Sequence, residues 1–140
     1  ELIMIKIFFV NLVLVMTLGF FAHSSRAQSV DFVEPVDNAV VPPTFKVKFS
    51  VEGMTVAPAG TMTEGTGHHH LLIDISDIAE GEIIPMDDNH RHFGKGQTEV
   101  EIFLPPGKHK LTMQFADGAH RSLGEKFRKT ITVQVKHKGY

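Results

Sequence analysis

Strict two-residue alternation constrains this chain more than any other feature. Phe45, Val47, Phe49 and Val51 alternate with Lys46, Lys48, Ser50 and Glu52. A period of two puts successive side chains on opposite faces of an extended strand, so this segment predicts a strand with one buried and one wet face. Val100, Ile102 and Leu104 repeat the pattern, as do His109, Leu111, Met113 and Phe115, and Ile131, Val133 and Val135. Val30–Val33 reads as a first strand ended by Glu34-Pro35, and His68–Ile75 as a third. Gly53–Gly67 and Gly81–Gly96 read as loops, and Asp37-Asn38, Pro42-Pro43, Pro105-Pro106-Gly107 and Asp117-Gly118 as turns. No segment carries a helical period. Six or seven short strands separated by turn signals predict an all-β chain, a single immunoglobulin-like antiparallel β-sandwich, with a small barrel as the alternative.

The first residues read as a targeting segment rather than as part of that sandwich. Met4 is expected to initiate, and Lys6 supplies a positive charge ahead of the apolar run Ile7–Phe21. Ser25-Arg26-Ala27 sets small residues at the two positions that a signal peptidase reads, so residues 1–27 are expected to be upstream residues and a signal peptide. The run is shorter than the roughly 20 residues a spanning helix needs, which argues against a retained anchor. Residues 28–140 then form one β-sandwich domain, expected in the periplasm or secreted, with no stable membrane insertion after cleavage. The chain has no cysteine. Disulfides, thiolate metal sites and cysteine nucleophiles are therefore excluded, and packing must hold the domain. A net charge of −2, with no basic patch, argues against nucleic-acid binding.

Nine histidines carry the chemistry. Imidazole is a common ligand for copper and zinc, and its ordinary pKa lies near neutrality. In a strand, His68 and His70 share one face while His69 joins Leu71, Ile73 and Ile75 on the other, so His69 is expected to point coreward. Residues i and i+2 stand roughly 6.5–7 Å apart at Cα. That spacing lets His68 and His70 converge on one ion at about 2.0–2.1 Å from each nitrogen. The competing possibility is an edge strand with solvated polar residues. His90-Arg91-His92 repeats the His-x-His spacing and can complete a four-nitrogen set, with His120 as a fifth ligand; alone, it reads better as a polar loop. Asp74 is expected to orient one of these imidazoles through its second ring nitrogen. His109 follows Pro106-Gly107-Lys108, where many immunoglobulin-like domains use a tyrosine to tie down a turn, so its expected role is structural. Met62 is a candidate soft ligand, though loop packing explains it more simply.

Enzyme templates fit poorly. Ser76 and Ser122 lack a nucleophile-elbow context, and neither a phosphate loop nor a dinucleotide fingerprint is present. The predicted mature N-terminus is Gln28, which disfavours a copper brace built on an N-terminal histidine.

The segments VDFVEPVDNAVVPPTFKVKF, VEGMTVAPAG, GTGHHHLLID, NHRHFGKGQTE, LPPGKHKLTMQFADGAHRS and KTITV, taken in order, resemble a secreted bacterial family known only as domain of unknown function family 4399. The resemblance implies an exported β-sandwich and supplies neither an activity nor site residues. A looser likeness to other exported sandwiches runs through Gly67, His68, His70, Asp74, Leu104, Gly107, His109, Leu111 and His120. It implies that these histidines gather at one end of the fold.

The expected function is a non-enzymatic exported binding domain with a histidine-rich site for a transition metal, copper or zinc. The expected ligands are His68, His70, His90, His92 and His120. The alternatives are a metal-free envelope module that binds another envelope protein, and an adhesin whose clustered histidines respond to pH.

Overall fold

The computed structural model describes residues 27–137. The expected signal segment, apart from Ala27, lies outside them. Nine strands form among these residues: β1 (Ser29–Glu34), β2 (Ala39–Val41), β3 (Thr44–Glu52), β4 (Thr55–Val56), β5 (Thr66–Ile73), β6 (His90–His92), β7 (Glu99–Phe103), β8 (Gly107–Ala116) and β9 (Arg128–Val135). A single 3-10 turn spans Glu125–Phe127.

Two sheets result. One has the order β1-β3-β7, paired antiparallel. The other has the order β2-β9-β8-β5, with β4 and β6 both pairing with β5. A first strand that lines one sheet and then sends a short partner, β2, parallel to the last strand of the other is an immunoglobulin-like arrangement. The alternation explains the packing. Phe45, Val47 and Phe49 of β3 meet Leu71, Ile73, Leu111, Met113, Phe115, Ile131, Val133 and Val135 of the opposite sheet in one apolar core.

Three sequence expectations change. Short strands β4 and β6 form inside the two segments read as loops, because each finds an open stretch of the β5 edge. β2 forms after the Asp37-Asn38 turn, where the turn signals masked a three-residue pairing. The third strand begins at Thr66 and ends at Ile73, since Asp74 adopts a left-handed φ of 57° that breaks the extended run.

That third strand is not an edge strand. β5 lies between β8 on one side and β4 and β6 on the other, and its residues from Gly67 to Ile73 are buried on both faces. Its outer face is roofed: Leu72 and Ile84 are buried outside the main core, and Ile84 N–H donates to the His120 carbonyl at 2.9 Å. The buried Gln114 amide on β8 braces that roof. It donates to the Gly124 and Phe127 carbonyls and accepts from Arg128 Nε at 2.9 Å.

Candidate metal centre

Strand parity sends His68, His70 and Leu72 to the outer face of the second sheet and His69 into the core. His69 packs there against Phe49 and Phe115, with ring centroids 5.2 and 4.9 Å away. The antiparallel register then decides which other side chains meet the outer pair. His70 lies opposite His92 on β6 and opposite Gln114 on β8, while His68 lies opposite the small Ala116. Just past Ala116 the chain turns at Asp117, and this turn returns His120 to the same spot.

Four histidines therefore converge: His68, His70, His92 and His120 each offer a ring nitrogen within 4.8 Å of the others. His68 and His70 are fully buried, and His92 and His120 are half-buried. His70 Nε2 lies 3.0 Å from His68 Nε2, which lies 3.2 Å from His120 Nδ1. Two nitrogens bound to one ion at about 2.0–2.1 Å, at angles of 90–110°, stand roughly 2.9–3.4 Å apart. The observed separations match the edges of such a coordination polyhedron.

Hydrogen bonding accounts for these contacts less well. An imidazole nitrogen has one in-plane position, either a proton to donate or a lone pair to accept with. His68 Nε2 is approached by two nitrogens at once, so one approach is left unsatisfied. Meanwhile His68 Nδ1, His70 Nδ1 and His92 Nε2 are buried without any partner. Burial, then the neighbouring imidazoles, push the His68 pKa down to about 4. The same causes, in the same order, push His70 further down and lower His92. His68 and His70 are thereby uncharged at neutral pH, with lone pairs available to a cation. This cluster can hold a metal ion.

Glycine shapes the seat. The His92 ring lies against the backbone of Gly94, where an added Cβ would overlap Cε1 and Nε2 of that ring. Gly67 likewise lets β5 approach the Ala116 carbonyl.

The other expected site residues lie elsewhere. His90 sits one pair further along β6, opposite Leu72, and its Nδ1 is 2.8 Å from Asp87 Oδ1. That bond holds the ring on its own loop, and His90 is not among the four; it also draws the Asp87 carboxyl below its usual range. Asp74 orients an imidazole, but that of His109 and not of a cluster member: His109 Nδ1 lies 2.6 Å from Asp74 Oδ2. His109 Nε2 meets the Pro105 carbonyl at 2.8 Å, and Asp74 Oδ1 accepts from Lys110 N–H at 2.7 Å. This is the turn-tying role expected for His109. Met62 is exposed. Gly94, Asp117 and Gln114 were not singled out from the sequence as site residues. Only Asp117-Gly118 carried a signal, and it reads as an ordinary turn.

Among known proteins, the family described as Domain of unknown function (DUF4399) matches residues 47–136. The chain belongs to this family. The match spans β5, β6, β8 and the Asp117 turn, so all four clustered histidines lie inside the family's domain. No curated protein matches. Among solved structures, the endo-beta-1,4-mannanase from Thermotoga petrophila aligns with a TM-score of 0.46 and 11% identity, over 79% of this chain and 20% of that one. The Clostridium thermocellum CbhA fibronectin(III)-like modules align with a TM-score of 0.47 and 16% identity, over 79% of this chain and 99% of theirs. Among the described residues no helix is long and apolar enough to cross a membrane.

Proposed function

We propose that this domain of the DUF4399 family is a non-enzymatic, exported metal-binding module that carries or sequesters a transition metal in the periplasm or outside the cell. The observation that carries this reading is the convergence of four imidazoles, with His68 Nε2 at ligand-to-ligand distance from His70 and from His120, while protonation of His68 and His70 is suppressed. The donor set is all nitrogen, so copper(II) is the first choice on the affinity order for such ligands, and zinc the second. His68 and His70 form the fixed half of the site on a central strand. His92 and His120, half-buried on β6 and on a turn, form the half through which an ion exchanges. The export part of this reading is supported by the apolar N-terminal run and its small-residue cleavage signature.

The test is a calorimetric titration of the metal-stripped, untagged chain with Cu(II) and with Zn(II), alongside His68→Ala/His70→Ala. One-site submicromolar binding, lost in the double variant, is the expected result. Weak binding of both metals, or tight binding indifferent to these two residues, would sink this reading.

A further inference from the structure

Three of the four clustered histidines sit in strands, whereas His120 sits in a turn. That turn is over-determined by one side chain. Asp117 Oδ1 accepts from Ala119 N–H at 2.8 Å and from Arg121 N–H at 2.9 Å. The Asp117 backbone closes the same loop: its carbonyl accepts from His120 N–H at 3.0 Å, and its N–H donates to the Arg121 carbonyl at 3.0 Å. Between these bonds His120 adopts φ 65°, a left-handed conformation that a residue with a Cβ rarely takes without support. Gly118 fits against the Thr61 carbonyl so closely that a Cβ would overlap it, so the turn has no room to relax inward.

Building on the metal-binding reading, we propose that Asp117 is the positioning residue of the centre. Its carboxylate fixes the turn that delivers His120. Outer partners of this kind typically contribute roughly 10–100-fold in metal affinity.

The test compares Asp117→Ala with Asp117→Asn in the full, untagged chain, each titrated with Cu(II) and melted without metal. Asparagine keeps a side-chain oxygen to accept the two N–H groups and removes the charge; alanine removes both. Asp117→Ala is expected to bind more weakly than native by roughly 10–100-fold, and Asp117→Asn to stay near native. The Cu(II) electron paramagnetic resonance spectrum of Asp117→Ala should match that of His120→Ala, with one nitrogen lost, which a merely structural role would not produce. Native affinity in a folded Asp117→Ala overturns the proposal. A loss of affinity in Asp117→Asn as large as that in His120→Ala overturns the proposal too, and decides it if Asp117→Ala does not fold. Loss of affinity with all four nitrogens still on the copper overturns the positioning of His120. Failure of the native chain to bind either metal removes the metal reading itself, and this proposal with it.

Discussion

The domain contains two histidine assemblies built on opposite rules. At the Asp74–His109 corner, both ring nitrogens have a partner, a carboxylate at 2.6 Å and a carbonyl at 2.8 Å. In the four-histidine cluster, one nitrogen is contacted twice and three more are buried with no partner. The same side chain is a structural tie where its hydrogen bonds close, and the cluster where they do not is the one that can hold an ion. Electrostatics follows the same division. Burial opposes protonation of His109, but the Asp74 bond, the Pro105 carbonyl and the Asp74 charge outweigh it and raise its pKa. At His68 only the Asp117 charge opposes burial, without offsetting it, and at His70 nothing does.

The largest expected effect that tests this contrast is acid unfolding of the metal-free domain. A histidine whose folded pKa is lowered leaves stability intact above the ordinary 6.5 and removes it as pH falls from there toward its folded value. For His68 and His69 that window runs from 6.5 to about 4. His109 has the opposite sign: its contribution is present below 6.5 and is lost as pH rises through its raised value. Denaturant melts from pH 7.5 to 4 should therefore show a loss of several kcal/mol on the acid side, because each pKa unit is about 1.4 kcal/mol. A flat profile would break the contrast.

Next in size, His109→Ala should lower stability by about 2 kcal/mol, the usual value of a hydrogen bond to a charged group together with its unpaired partner. It should leave metal affinity unchanged by calorimetry. A drop in affinity would join the two assemblies into one. Gly94→Ala should act in the opposite sense, weakening metal binding by about tenfold as the added methyl displaces the His92 ring, with a smaller change in the metal-free melt.

The smallest expected effect concerns His69, the middle of the triplet. Both of its ring nitrogens are buried without partners among core residues, which costs about 1–3 kcal/mol for an unsatisfied donor. His69→Leu should raise stability by about 1 kcal/mol, leave metal affinity intact and shallow the acid limb. If affinity falls instead, the core side of β5 contributes to the site as well.

Much of the centre was legible in the chain because it depends on strand parity. His68 and His70 share a face, and His69 opposes them, whatever the partner strands are. The Pro-Gly entry to β8 likewise marked His109 as a tie. The second His-x-His was only half informative. His90 and His92 share a face of β6, but the register with β5 sets His92 opposite His70 and His90 opposite Leu72, and Asp87 then holds His90. Asp74 shows the same limit: its chemistry, orienting an imidazole, was readable, but which imidazole depended on a left-handed residue ending β5 beside β8.

The sequence by itself determined an alternating, cysteine-free β chain and a pair of imidazoles side by side on one strand. Both follow from local geometry, since a period of two is a property of the extended backbone. Only the tertiary structure decided that β5 is central rather than at an edge, that residues 22 and 50 positions after His70 complete the cluster, and that His90 is left out. Those outcomes depend on pairing register and on one clamped turn, which are set by contacts between segments far apart in the chain.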